Sequence, residues 1–564
     1  MIKTENFKLK YSYSVIIISL IIIFYFPAFQ NNILSWDDNL YLIDNPQVQN
    51  LSSIPSYFSH FDNTGNYMPF TLSTFTILYH FSELHPFLYH FINIFFHILN
   101  SLLVFYFIYK LLKNIDLALI VALLFSIHPI HVESVAWIAE LKDVQYAFFF
   151  LLSMIFYLKF VRDRKPSSYI LSIIFFISSV FSKGQAVALF PVILLIDYLE
   201  NGKIFTKLIE KIPYLVISIS FGIIAVLAQK AGNNISDYNI ISFFDRIILA
   251  SYAFTTYIIK VFIPYELSAF YPYPEMIDGK LPYEYLSFLL IIPLTIYLLI
   301  LTFKKNKLVF FGLTFFISNI ILLLQLVPVG NCIMADRYTY IASIGISLIV
   351  AHYIIKLYNL NKYRTYTVSF FVIYLLFLGI NTHSQTKLWK NDFVLWDNVL
   401  SINPRIPSAL VLRGCAYNDL KDFKKAIPDF NNAIEIDNSN ELAYFNRGVA
   451  KSSIGDFKGA IPDFEMADKL KLEFRYLVNF YVSWGGALAN TGKMKEAIEM
   501  FDKAIAINPN KASIYNNRGI THAMLGMMPE ALKDFEFAIK LDPNYREATD
   551  NRNRALNAMN TENK

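Results

Sequence analysis

The feature that most restricts this chain is a succession of apolar runs that fills its first 385 residues and then stops. A helix needs about 20 apolar residues to cross a bilayer, where no water can satisfy its backbone. Runs of this kind lie near 12–29, 88–111, 115–128, 144–161, 168–182, 185–199, 213–229, 246–263, 284–303, 308–328, 338–357 and 366–382. The 55% hydrophobic and 17% aromatic content is likewise more than a soluble globular chain carries. A polytopic membrane protein is the expectation. The net charge of +5 is ordinary where basic residues flank spans, so nucleic acid is not an expected partner. Cys332 and Cys415 are the only cysteines and fall in different domains, which leaves no disulfide framework and no cysteine-based zinc site. Lys3, Lys8 and Lys10 precede the first run and no small-residue cleavage site follows it, so it reads as an uncleaved first span.

Charge sets the expected orientation. Lys110/Lys113, Arg162/Arg164/Lys165, Lys203/Lys207/Lys211, Lys304/Lys305/Lys307 and Lys356/Lys362/Arg364 all belong inside by the positive-inside rule. Twelve crossings would put the last two clusters outside. If one candidate between 213 and 263 does not cross, all fall inside. The weakest is 246–263, which has Asp245 and Arg246 at its start and Lys260 within it. About eleven crossings are therefore expected, with the N-terminus in and the C-terminal domain out, in a bacterial inner membrane or an ER membrane. The outer loops would then be 30–87, 128–143, 182–184, 264–283 and 329–337, and they hold nearly all the unusual polar residues.

From Asn403 onward the chain repeats. Gly414 and Gly448 are 34 apart, as are Gly485 and Gly519, and Ala426, Ala460, Ala497 and Ala531 keep the same register. Each of these alanines is followed four residues later by Phe430, Phe464, Phe501 or Phe535. A 34-residue period with small residues where paired helices touch is the tetratricopeptide pattern. The fold expected is thus all-α, a transmembrane helix bundle followed by an α-solenoid. Its parts are a transmembrane domain over 1–385, a coupling half-repeat over 386–407, and repeats with a capping helix over 408–558.

Trp36-Asp37-Asp38 opens a polar loop just beyond the first span. Two adjacent carboxylates at a membrane surface suit a general base or a cation-binding group for a lipid-anchored substrate, and also suit an Asp-rich turn. Together with Tyr67-Met68-Pro69-Phe70, His90-x-x-Asn93-x-x-x-His97, His128-Pro129-Ile130-His131-Val132-Glu133, Glu140-Leu141-Lys142-Asp143, Ser182-Lys183, Phe270-Tyr271-Pro272-Tyr273-Pro274 and Asp336-Arg337-Tyr338, it forms an ordered set of motifs. This set, joined to C-terminal repeats, resembles the transmembrane and tetratricopeptide repeat-containing family and its prokaryotic relatives, over nearly the whole chain. Met68 stands where that family often has Arg. The resemblance implies a GT-C glycosyltransferase fold, a polyprenyl-phosphate sugar as donor, and O-mannosylation of proteins. It also implies that Asp37, the first acid of the pair, is the base.

The residues support roles beside that resemblance. A polyprenyl-phosphate sugar needs its leaving phosphate stabilised while a carboxylate deprotonates the acceptor hydroxyl. Asp38 would orient the acceptor or bind a divalent cation, although sequence shows no converging oxygen ligands and the metal stays unassigned. Arg337 offers a planar fork to phosphate at the end of a span, or simply snorkels to the interface. Lys183 interrupts two apolar stretches at a tight outer turn, where a cation needs a partner. Lys142, with Glu140 and Asp143, either joins the donor site or forms a solvated amphipathic helix. His128, His131 and Glu133 serve donor or acceptor contact or loop structure. His90, Asn93 and His97 share one helical face, which favours hydrogen bonds inside the bundle over metal ligation. The Tyr/Pro run at 270–274 is expected at the interface, lining a lipid entry. Sequons at Asn50 and Asn234 would lie outside.

Three readings compete. One is an inverting transferase that moves a hexose such as mannose to a Ser or Thr hydroxyl of an exported protein, with the repeats binding that acceptor or a partner. The second is a ligase using polyprenyl-diphosphate glycans, against which the early Asp37-Asp38 pair argues. The third is a non-catalytic scaffold, for which a dozen apolar segments are excessive.

Overall fold

In a computed structural model of the chain, residues 2–60, 65–232, 241–277 and 279–562 are described. The Asn234 sequon lies outside them. The chain divides into two compact units, Met1–Ile402 and Asn403–Lys564.

The first unit is a helix bundle. Among the described residues, seven helices are long and apolar enough to cross a membrane, a bent pair (Ile115–Ser126 with Pro129–Ala136) raises the number to eight if it is one span, and Pro166–Ser182, Lys307–Leu323 and Ser343–Tyr358 are shorter apolar helices. These segments match the expected spans except 246–263, but four of them are shorter or more bent than a straight crossing. The helix Phe243–Phe262 is not among them.

Long-range bonds show why. Lys10 lies over the Tyr109 ring, Arg162 donates to the Lys110 carbonyl and pairs with Glu200, Arg164 pairs with Glu210, and Tyr198 donates to the Phe303 carbonyl. The basic flanks near residues 110, 162, 203 and 304 therefore share one end of the bundle. At the opposite end, Arg246 donates to the Leu326 carbonyl and His128 bonds to the Val261 carbonyl. Both termini of Phe243–Phe262 are thus tied to the same end. A 20-residue helix is about 30 Å long, so this one lies across the bundle's end and buries Leu249, Ala253 and Tyr257 there.

The helices Lys307–Ile320 and Ser343–Tyr358 approach each other closely. A Cβ on Gly312 would sit 2.6 Å from the Gly345 carbonyl oxygen, and one on Gly345 would sit 2.3 Å from the Gly312 carbonyl oxygen. Small residues let these two backbones meet, as packing between apolar helices requires. Pro69–Ser82, in the loop after the first span, is a further helix that the spacing of apolar runs did not suggest. Within the run at 270–274, Tyr271–Pro272 pairs antiparallel with Cys332–Met334, in a two-stranded ribbon that fastens it to the Asp336 segment.

The second unit is a solenoid of helix pairs: Pro407–Asp419 with Phe423–Ile436, Glu441–Ser453 with Phe457–Lys469, Leu477–Asn490 with Met494–Ile507, and Ala512–Met524 with Met528–Leu541. Arg546–Glu562 follows as the last helix. Within each pair the periodic glycine faces the periodic phenylalanine. A Cβ at Gly414, Gly448, Gly485 or Gly519 would fall 2.6, 2.8, 2.9 or 2.8 Å from the ring of Phe430, Phe464, Phe501 or Phe535. Three pairs also carry a forked Arg–Asp bridge, Arg413–Asp429, Arg447–Asp463 and Arg518–Asp534.

The glycine contact can be tested by thermal unfolding of the full chain. Gly448→Ala should destabilise by about 1–3 kcal/mol through overpacking against Phe464. Gly486→Ala, at a helical position with nothing within 4 Å, should be neutral or gain up to about 1 kcal/mol in helix propensity. Equal effects at the two positions would refute the packing argument.

Candidate functional site

Segments far apart in sequence bring charge together at the end of the bundle opposite the basic flanks. Glu140 closes a 3-10 turn at which the Leu141–Asp163 helix begins, so Lys142 and Asp143 sit in that helix's first turn. Lys183 follows Pro166–Ser182, where the backbone turns extended and ends the helix. Arg337 lies in the short Asp336–Thr339 helix after the ribbon.

Glu140 is the centre. Its Oε1 lies 3.0 Å from the Lys142 ammonium and 3.3 Å from Arg337 Nε, and its Oε2 lies 3.5 Å from the Lys183 ammonium. Lys183 also pairs with Asp143, whose other oxygen accepts from Ser134 Oγ at 2.9 Å. Arg337 pairs through Nη1 with Glu133, which also accepts the Arg337 backbone N–H at 2.8 Å. Lys142 reaches outward to Asp37 at 4.0 Å. Side-chain exposure rises along this path, from 1% at Glu140 through 8% at Lys142 to 33% at Asp37. Asp37 is therefore the most exposed carboxylate of this network. Burial works against charge on Arg337, yet Glu133 and Glu140 hold its guanidinium well above its ordinary range. It stays cationic.

An aromatic wall stands behind this network. Trp36 stacks on Trp137 at 4.4 Å and meets Trp396 edge-on at 5.0 Å, while Trp137 stacks on Trp389 at 5.4 Å. Arg337 lies over Trp137 at 5.6 Å, and Lys142 lies over Tyr41 at 4.8 Å. Loop 31–38 is pinned to the segment after the last span. Asn32 donates to the Lys390 carbonyl, and Ser35 donates through both N–H and Oγ to Asp392. The helix Asp392–Ile402 thus belongs to the bundle unit and braces the loop that carries Asp37.

Several expected roles change here. Asp38 is fully buried, and its two oxygens accept from the backbone N–H of Leu34 at 2.9 Å and of Ala139 at 2.8 Å. Burial pushes its carboxyl up to about 7 against those two bonds. With both oxygens engaged by backbone it clamps the loop, and does not orient an acceptor or ligate a cation. His128 and His131, expected as donor or acceptor contacts, are 3% and 0% exposed. His128 bonds to the Val261 carbonyl and accepts from the Ile130 N–H, and His131 bonds to the Phe125 carbonyl and to Ser343 Oγ. They are core histidines. Glu133, Glu140 and Asp143 stand behind the cations as counter-ions, because each is nearly or wholly shielded from water. The Glu140–Asp143 stretch is likewise not a solvated helix. His97 bonds to Tyr340 and the Ser126 carbonyl, Asn93 to the Trp137 carbonyl, and His90 to the Asn31 carbonyl. Among the described residues, no three His, Cys, Asp or Glu side chains are grouped to hold a metal ion.

Sequence reasoning passed over Trp137, Tyr41, Ser134 and Asp392. The tryptophans did leave a signal, since four of only five lie in this one cluster. Asp392 left none.

Comparison with known proteins agrees with this organisation. The families described as TPR repeat and Tetratricopeptide repeat match residues 414–455 and 485–526, and residues 512–545. Protein O-mannosyl-transferase F38B6.6 of Caenorhabditis elegans is 25% identical over 451 residues, covering 76% of this chain and 63% of its own length. Human protein O-mannosyl-transferase TMTC3 is 20% identical over 523 residues, covering 80% of this chain and 55% of its own. Human protein O-mannosyl-transferase TMTC1 is 38% identical over a shorter stretch of 99 residues, 17% of this chain and 11% of its own. The chain thus spans between about half and two thirds of the length of the first two. In its repeats, the order of its parts and its sequence, the chain is similar to the transmembrane and tetratricopeptide repeat-containing proteins named protein O-mannosyl-transferases.

Proposed function

We propose that the chain is an integral membrane glycosyltransferase that moves a hexose, mannose by analogy with the relatives' names, from a polyprenyl phosphate to a Ser or Thr hydroxyl of an exported protein. The observation that carries this is the convergence of Lys142, Lys183 and Arg337 on Glu140, with Asp37 at the exposed edge. A phosphate leaving group needs clustered donors at a membrane surface, and a hydroxyl acceptor needs a base beside them. The carboxylates do not exhaust those donors, since an ammonium has three N–H groups and a guanidinium five. The acceptor oxygen attacks the anomeric carbon and the bond from that carbon to the phosphate oxygen breaks on the opposite face. The hydroxyl proton passes to Asp37. The bonding pair stays on the polyprenyl phosphate, which Arg337, Lys183 and Lys142 stabilise in a water-poor setting.

The bundle leaves its last helix at this same end, since Lys390 and Asp392 are bonded to loop 31–38. In this reading the end faces outward and the repeats bind the acceptor or a partner.

The base assignment separates two neighbours. Asp37→Asn should lower transfer by about 10²-fold or more with an unchanged unfolding temperature. Asp38→Asn turns an amide N–H toward a backbone N–H, so it should cost about 1–3 kcal/mol of stability instead. Near wild-type transfer by purified Asp37→Asn would remove Asp37 from the mechanism.

For the phosphate, Arg337→Lys keeps the charge but loses the fork and should restore only part of the donor affinity lost in Arg337→Ala. Lys183→Met combined with Asp143→Asn removes a buried pair without leaving a lone charge, and should fold normally yet use donor poorly. Unchanged donor kinetics in that double variant and in Arg337→Ala would reject the phosphate site.

Sidedness is checked with impermeant thiol reagents on intact cells, after Cys332 and Cys415 are changed to Ala. A cysteine at exposed Asn510 should label from outside and one at exposed Lys305 should not. The reverse pattern would put the repeats in the cytosol, away from an exported acceptor, and favour a scaffold.

A further inference from the structure

Among the described residues, two glutamines have amide atoms that are shielded from water and have no hydrogen-bond partner. Both Oε1 and Nε2 of Gln185 are in this state, and so is Oε1 of Gln229. Gln185 lies two residues after Lys183, in the turn Gly184–Ala188. Gln229 lies near the end of the Ile212–Ala231 helix. These two elements are packed together, for a Cβ on Gly184 would lie 3.1 Å from Ala225 Cβ. Gln229 Nε2 donates to Asn66 Oδ1 at 3.2 Å, Asn66 Nδ2 donates to Tyr41 OH at 3.0 Å, and the Tyr41 ring lies under the Lys142 ammonium at 4.8 Å. Gln185 is thus a near neighbour of Lys183 along the chain, and Gln229 is linked through Asn66 to the Tyr41 ring that lies under Lys142.

A buried amide without partners is destabilising, and a protein keeps few of them. Their chemistry indicates what would satisfy them. A phosphate oxygen only accepts, so it would leave the two Oε1 acceptors unmatched. A vicinal diol both donates and accepts, and so matches the Oε1 and Nε2 set. We propose that Gln185 and Gln229 form a sugar-recognition subsite that binds ring hydroxyls of the hexose on the donor lipid, next to the cations that take its phosphate. This rests on the donor reading above and adds the element that distinguishes a sugar-bearing lipid from a bare one.

The test uses the full chain in lipid nanodiscs and three probes of equal chain length: polyprenyl phosphate, polyprenyl phosphate mannose and polyprenyl phosphate glucose. Wild type should bind one or both sugar lipids more tightly than the bare phosphate. Gln185→Leu and Gln229→Leu should reduce that preference by about tenfold or more while leaving polyprenyl phosphate binding unchanged. Removing the orphaned amide of Gln185 should also leave the unfolding temperature of Gln185→Leu equal or higher. Variants that retain the preference, or a wild type that never shows one, overturn the subsite alone. A lower unfolding temperature with all three lipids weakened overturns it in favour of a structural role. Wild type binding none of the three removes the donor reading together with the subsite.

Discussion

The carboxylate of Glu140 is the interaction on which the rest of the bundle's end depends. Three cations from three helix ends would repel one another in a poorly hydrated setting, and each alone would be expensive to bury. Glu140 lies within 3.5 Å of all three, while Glu133 and Asp143 hold the outer sides of Arg337 and Lys183. The cluster is therefore assembled before any substrate arrives. Its geometry is inherited from the helices that end there, which suits electrostatic stabilisation that needs no rearrangement during reaction. Glu133, Glu140, Lys142 and Asp143 come from one stretch of chain, so the short helix at 132–136 and the turn at 138–140 work as a rigid platform that Lys183 and Arg337 join from other segments.

Asp37 is aimed by its neighbours. Asp38 ties the loop to Leu34 and Ala139, Trp36 wedges against Trp137 and Trp396, and Asp392 clasps Ser35. The segment after the last span thus serves the loop after the first. A short helix that reads as the beginning of the solenoid is in this respect part of the site's support.

The solenoid shows which parts of a repeat are obligatory. Every pair keeps its glycine against a phenylalanine, because backbone and ring occupy the same space and no larger side chain fits. The Arg–Asp fork is absent from the third pair, where Trp484 and Met500 stand in the corresponding places. The three extra residues before that pair form the turn Phe474–Tyr476. The glycine–phenylalanine packing recurs in all four pairs, whereas the Arg–Asp pair is kept in three.

Local information determined the elements. Apolar runs long enough to span a membrane and a 34-residue period are properties of contiguous sequence, and both appear in the helices. Asp37, Lys142, Glu140, Lys183 and Arg337 were also legible, because charge at the edge of an apolar run is expensive unless it has a partner. What needed the tertiary structure was the choice of partner. Asp37 and Asp38 are adjacent and chemically alike, yet one faces Lys142 and the other turns into backbone N–H groups that include Ala139, 101 residues away. His128 and His131 looked like polar loop residues until distant groups, the Val261 carbonyl and the Ser343 hydroxyl, satisfied them. The helix at 243–262 has the length of a crossing, and only its bonds to Leu326 and His128 lay it across the bundle's end. The orphaned amides of Gln185 and Gln229 have no sequence signature, since being unpartnered depends on everything that surrounds a group and not on the group itself.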